Sequence, residues 1–188
     1  MNIPNVPKPA TPEFTDKIIV QLQDILKAKL SWLNYSFGRA QRLVRKQDGR
    51  NFYFPSVHLG AGEYLEVLPT DRFKNFSFFT LEDPQEVDFK AHQFGRIKTN
   101  YSLIIWVNLE TIFEGSEERN SEAVKAEILK VLTRETFLTS GRITVESIYE
   151  KAESIYEGFS LKEIDSQFLM QPFAGFRFEG ELTFFETC

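Results

Sequence analysis

The stretch that most constrains the fold is Arg96 to Leu109, RIKTNYSLIIWVNL. Taken as a strand, with side chains alternating between two sides, it sends Tyr101, Leu103, Ile105, Val107 and Leu109 one way and Ile104 and Trp106 the other. A strand that is apolar on both sides has no side to offer to water, so the pattern predicts a central strand in a sheet covered on both faces. With the further strand and helix patterns along the chain, it predicts an α+β fold with a mostly antiparallel sheet and helices packed on one face.

Composition matters here for what covers the sheet. A chain of 188 residues buries roughly 70% of the surface it exposes when unfolded, enough for one core. Nineteen residues are Phe, more than a single small core readily holds, so some are expected on contact surfaces, where aromatic side chains are favoured. The formal net charge of −5 argues against general binding to nucleic acid, which needs a positive footprint. Charge is distributed unevenly, however. Arg39, Arg42, Arg45, Lys46 and Arg50 cluster around a lone Asp48, whereas Thr144 to Cys188 is rich in acids.

Pro4, Pro7, Pro9 and Pro12 predict an extended arm over residues 1–13, followed by one α+β domain over 14–188. Thr11, Pro12 and Glu13 read as a helix start, and the stripe Phe14, Ile18, Leu22, Ile25, Leu26 and Leu33 places a helix from about Pro12 to Leu30. Asp48-Gly49 predicts a tight hairpin between Arg39–Arg45 and Asn51–His58, with Pro55 marking an edge or a bend. Phe76 to Leu81 reads as a strand ending in the acidic turn EDPQEVD, Glu82 to Asp88.

A further helix is expected from Ser121 to Phe137. Another is expected from Thr144 to Gly158, with Val145, Ile148, Tyr149, Ala152, Ile155 and Tyr156 on its apolar side and Glu146, Glu150, Glu153 and Glu157 on the opposite face. Ser160 and Glu163 match a capping box. The chain closes on a strand in which Phe176, Phe178, Leu182 and Phe184 alternate with Arg177, Glu179, Glu181 and Thr183; Gly180 within it suggests a bulge or a close backbone approach.

The chemistry is sparse. His58 and His92 fall in no metal-binding or triad spacing. LGAGE, Leu59 to Glu63, has no Lys or Ser/Thr to handle phosphate and reads as a turn. EDPQEVD lacks the ligand order of a calcium loop. Cys188 has no second cysteine to pair with, the first residues lack the layout of a signal peptide, and no apolar run reaches the roughly 18 residues of a membrane span. No catalytic residue, cofactor or metal site is therefore assigned. The basic hairpin reads as a protected sheet edge or a phosphate-contacting strand. Paired with the glutamate face it fits a head-to-tail ring, in which Arg39, Arg42 and Arg45 of one subunit meet Glu146, Glu150, Glu153 and Glu157 of the next.

The order of a helix, a basic hairpin, FSFFTLEDPQEVD, YSLIIWVNLETIF, helices and a closing LMQPFAGFRFEGELTF strand resembles the tail-terminator (tail-completion) proteins of tailed bacteriophages and prophages. The resemblance is one of layout and covers Phe14 to Phe185. It implies a virion-assembly subunit, not an enzyme, that forms a ring, commonly hexameric, on the end of the tail tube and presents a surface to the head connector. Its partners would be itself, the tube and the connector, with no membrane and no specific nucleic acid. It would be found in the cytoplasm of a bacterial host during assembly and then in the virion tail or neck. A head-closure or neck component is the alternative within that class. A small ligand-binding protein or hydrolase is the alternative outside it, and would need His58 or His92 in a cleft beside carboxylates.

Overall fold

The structure, a computed structural model, describes residues 8–88, 95–114 and 120–185. A sheet of ten strands organises it: β1 Tyr35–Gln47, β2 Arg50–Gly60, β3 Glu63–Glu66, β4 Phe76–Leu81, β5 Glu86–Asp88, β6 Arg96–Asn108, β7 Phe137–Leu138, β8 Gly141–Ile143, β9 Ser147–Tyr149 and β10 Phe173–Phe185. The order across the sheet is β3-β2-β1-β4-β6-β10-β8-β7, with β5 beside β6 and β9 beside β10. Every pairing is antiparallel except that of β1 with β4.

β6 is central, as its two apolar sides require. It is paired with β10 along its whole length, from Arg96 opposite Phe185 to Asn108 opposite Phe173. On its first face Tyr101, Leu103, Ile105 and Val107 join Phe176, Phe178 and Leu182 under two helices, α1 (Thr15–Lys29) and α2 (Ser121–Arg134). Ile18, Leu22 and Leu26 of α1 and Val124, Ile128 and Leu132 of α2 supply the cover. On the second face Ile104 and Trp106 meet Phe76 and Phe78, residues of β1 to β3, and a loop layer carrying Ile155, Tyr156, Ile164 and Phe168. The long helices thus share one face, and a folded-over part of the sheet covers the other.

Two clusters account for the Phe excess. Phe37, Phe54, Phe73, Phe76, Phe78 and Phe168 go to one and Phe79, Phe176, Phe178 and Phe184 to the other. Each buried ring contributes about 1.5–3 kcal/mol. Among the described residues Phe14, Phe137 and Phe185 are the exposed ones, so aromatic surface is scarcer than a single core would leave.

The expected helix from Thr144 to Gly158 is a correction. Only Ala152–Ile155, α3, is helical, and Gly158 follows it at φ 82°. The segment before it lies along β10: Leu182 to Phe184 pair with β8, Thr144 and Glu146 donate to the carbonyls of Glu181 and Glu179 at 2.8 and 2.7 Å, and Arg177 to Glu179 pair with β9. The backbone groups on that side of β10 would otherwise be unpaired, and satisfying them outweighs a helical periodicity. Gly180 makes the approach feasible. A Cβ there would lie 1.9 Å from the Thr144 carbonyl oxygen. The register past Gly180 is continuous, so the close approach is present without a bulge.

Smaller differences have local causes. α1 begins at Thr15, not Pro12, and its N-cap is Phe14 at φ 46° with no side-chain cap; the Phe14 ring packs edge-on against Phe184 at 5.7 Å. α2 stops at Arg134 because Phe137 and Leu138 enter β7. Pro55 lies between β1 and β3, not at an edge, where the β3 ladder ends and Val67 donates to its carbonyl at 3.0 Å. Ser160 precedes a short 3-10 turn, Leu161–Glu163, but its side chain does not cap it; its Oγ accepts from the Tyr53 N–H at 3.0 Å, tying the loop layer to β2. The acidic turn is partly a strand, β5. Of the expected arm over residues 1–13, residues 1–7 lie outside the described residues and 8–13 within them.

Candidate interaction surfaces

β1 pairs with β4 at Tyr35, Ser36 and Arg39 and then leaves it, continuing with β2 alone as a two-stranded arm to Gln47. The arm turns at Asp48 and Gly49, with φ of 50° and 73°, the double positive geometry that suits a tight hairpin. Arg42, Val44, Arg45, Lys46 and Arg50 are exposed along it. The Arg42 guanidinium lies over the Tyr53 ring at 4.0 Å, and that of Arg45 lies over Phe54 at 4.7 Å and meets Glu66 at 2.9 Å. Such stacking contributes about 0.5–1 kcal/mol at exposed sites and leaves the charge facing out. Arg39 stands apart from these, on the wall of a groove beside α1.

The four glutamates do not share a face. Glu146 follows the strand-like stretch on β10, Glu150 pairs with Lys125 at 2.5 Å, Glu153 lies in the first turn of α3, and Glu157 pairs with Arg177 at 3.0 Å. Of the four, Glu157 alone lines an opening together with a residue of the basic arm of the same chain, Arg42. The helical acidic face expected from the sequence is therefore replaced by separate acidic points.

Arg177 is the most enclosed charge described, with its side chain 9% exposed. Its Nε donates to Ser102 Oγ at 3.1 Å, and one terminal nitrogen donates to the Ser154 carbonyl at 2.8 Å and to Glu157 at 3.0 Å. The other terminal nitrogen pairs with Glu179, and the guanidinium stands 5.5 Å from the Tyr149 ring centre. It forms the floor of an opening of about 300 Å³ between the departing arm and the main sheet, walled by Arg42, Glu82, Gly158 and Phe159. Sequence reasoning placed Arg177 among residues alternating with the core. The available signal was Glu179, two residues on and hence on the same side of β10.

A second depression, about 450 Å³, lies between α1 and the start of the arm and is lined by Asp16, Gln23, Arg39, Gln41 and His58. His58 is exposed, with its ring 5.1 Å from that of Tyr64. Gln23 is buried; its Nε2 donates to the Ser36 carbonyl at 3.0 Å while its Oε1 has no partner among the described residues. His92 lies outside the described residues. LGAGE is the turn between β2 and β3, with positive φ at Gly60, Ala61 and Gly62. Among the described residues no three His, Cys, Asp or Glu side chains are grouped to hold a metal ion.

On the second face, at the far end of β10, Glu181 is held between Lys98 of β6 and Arg142 of β8. The Lys98 hydrogen bond is the main reason its carboxyl sits below the usual range. The stability this supplies is present above the ordinary carboxylate pKa and is lost as pH falls through the lowered folded value. Glu181→Gln is expected to flatten that part of the acid limb in thermal melts recorded against pH, leaving the neutral-to-alkaline plateau parallel to that of the parent.

No protein-family model matches the chain, and no curated protein matches it. No described helix is long and apolar enough to cross a membrane.

Proposed function

We propose that this chain is a virion-assembly subunit of a tailed phage or prophage, one that closes the tail tube as a ring and offers its outer surface to the head connector. The observation that carries this reading is the arm. Two strands run on past the support of β4 with an exposed Val44 and a row of cations, an arrangement that suits contact with another protein surface. Other acidic points lie away from the arm, Glu146 beside β10 and Glu150 beside α2, so a head-to-tail arrangement brings opposite charges together. Capping follows if one side of the ring matches the last tube ring and the other does not repeat it. A head-closure or neck position uses the same contacts.

Light scattering at increasing protein concentration, with and without tail-tube rings, tests this. The expected result is a closed oligomer, or a stable complex with the tube, weakened several-fold by Arg42→Glu with Arg45→Glu and weakened by salt. A monomer that ignores the tube and is stabilised against heat by a small molecule favours the second reading, a ligand-binding protein. The groove beside His58, with the unpartnered Gln23 oxygen at its wall, is the observation in favour of that alternative.

A further inference from the structure

Phe137 is the most exposed large apolar side chain described, at 81%. It sits on β7, the last strand at its edge of the sheet, directly opposite Arg142 of β8, so ring and guanidinium project side by side. Neither the β7–β8 hairpin nor the core uses the ring: Leu138 packs inward from the same strand, and nothing covers Phe137 among the described residues.

A cavity of about 160 Å³ lies at the opposite end of β10, with Trp106, Tyr156, Phe168 and Phe173 in its walls. Trp106 and Phe173 are stacked at 4.8 Å, and Phe168 meets Phe173 edge-on at 5.2 Å. The Tyr156 hydroxyl is buried and has no partner among the described residues. Leu169 lines the cavity at 40% exposure and the adjacent Met170 is 61% exposed, so the rim is apolar as well. Glu150 also lines it. Lys125 bridges Glu150 and Glu122, one cation between two carboxylates, so the rim keeps a net negative charge.

The projecting ring and the cavity cannot meet within one copy. β7 lies level with the Phe184 end of β10 through β8, while the cavity lies at Phe173 to Phe176, about ten residues or roughly 33 Å away along a strand. A contact between two unlike patches on separate copies is head-to-tail, and it closes into a ring when the rotation allows. We infer that Phe137 of one copy seats in the aromatic cavity of the next, with Arg142 set against the Glu122–Lys125–Glu150 cluster. This rests on the reading of the chain as self-assembling, and it moves the acidic partner Glu150 from the basic arm to Arg142.

The test keeps Phe137 in place and measures proximity. In a Cys188→Ser background, Thr139→Cys, beside the projecting ring, and Met170→Cys, on the rim, are made as separate proteins, mixed and treated with a short bis-maleimide. The expected product is a covalent heterodimer that disappears when Phe137→Ser is added to the first protein and when Tyr64→Cys, on β3, replaces Thr139→Cys. Glu150→Arg is expected to reduce the yield at least tenfold and Arg142→Glu in the other partner to restore it. Equal melting temperatures for the parent and Phe137→Ser show that folding is not the cause. Oligomers by light scattering with no selective cross-link overturn this contact and leave the ring reading standing. Monomers at every concentration with no cross-link, both alone and with tail-tube rings present, overturn both.

Discussion

Arg177→Ala is expected to lower stability by about 3–5 kcal/mol, the cost of breaking a buried ion pair by removing one partner. The guanidinium satisfies Ser102, the Ser154 carbonyl and Glu179 at once, and it ties β10 to β6 and to the loop layer. Its removal leaves a partly enclosed carboxylate, a buried hydroxyl and a carbonyl to be rehydrated. Glu157 contributes far less, because its carboxylate is 71% exposed and its pairing is screened by water. Urea midpoints therefore should rank Glu157→Gln near the parent and Arg177→Ala far below it. Arg177→Met lies between the two, since it keeps the stem packing without the charge. A midpoint for Arg177→Ala equal to that of Glu157→Gln would show that the buried network contributes little.

Trp106→Ala is expected to cost about 3–5 kcal/mol as well, by a different route, the loss of a large buried side chain with only partial collapse around it. Trp106 is 2% exposed, stacks on Phe173, tilts over Phe76 at 5.8 Å and donates from its indole nitrogen to the Phe168 carbonyl at 3.2 Å. It is the point where the second face of the sheet meets the loop layer. Trp106→Phe keeps most of the volume and loses the donor, so it should cost less. Calorimetry on the two variants separates the terms. A small loss for Trp106→Ala would mean that the loop layer closes over the gap and that the second cluster is not a tightly packed core.

Much of this architecture is written in local patterns. β6 is legible because six of its own apolar residues, Tyr101 and Leu103 to Val107, alternate without conflict, and the sides assigned to Ile104 and Trp106 are those they occupy. β10 and the Asp48-Gly49 turn are legible for similar reasons, since alternation and positive φ are properties of the nearest residues. The stretch after Gly141 is not. Val145, Ile148 and Tyr149 fit a helical stripe, yet the decision belongs to the unpaired edge of β10, some thirty residues further along the chain, and to the absent side chain at Gly180. With the helix went the common face of Glu146, Glu150, Glu153 and Glu157, so the charge pairing expected from the sequence had no single surface to refer to. Arg177 was hidden because an alternating charged residue looks solvated until the layer above it is known. Phe137 was hidden by a helix boundary drawn one turn too late.

The pairing of Arg96–Asn108 with Phe173–Phe185 also has a bearing on synthesis. While the ribosome is still making the residues between them, the first of these two strands has emerged with neither its final neighbour nor its lower layer, and Leu103 to Val107 forms a run that readily sticks to other chains. Its dry environment is completed only once Phe173–Phe185 has been made, so a product that stops before it lacks the partner that would hide it. Cellular holding factors that recognise extended greasy segments have their most evident target there.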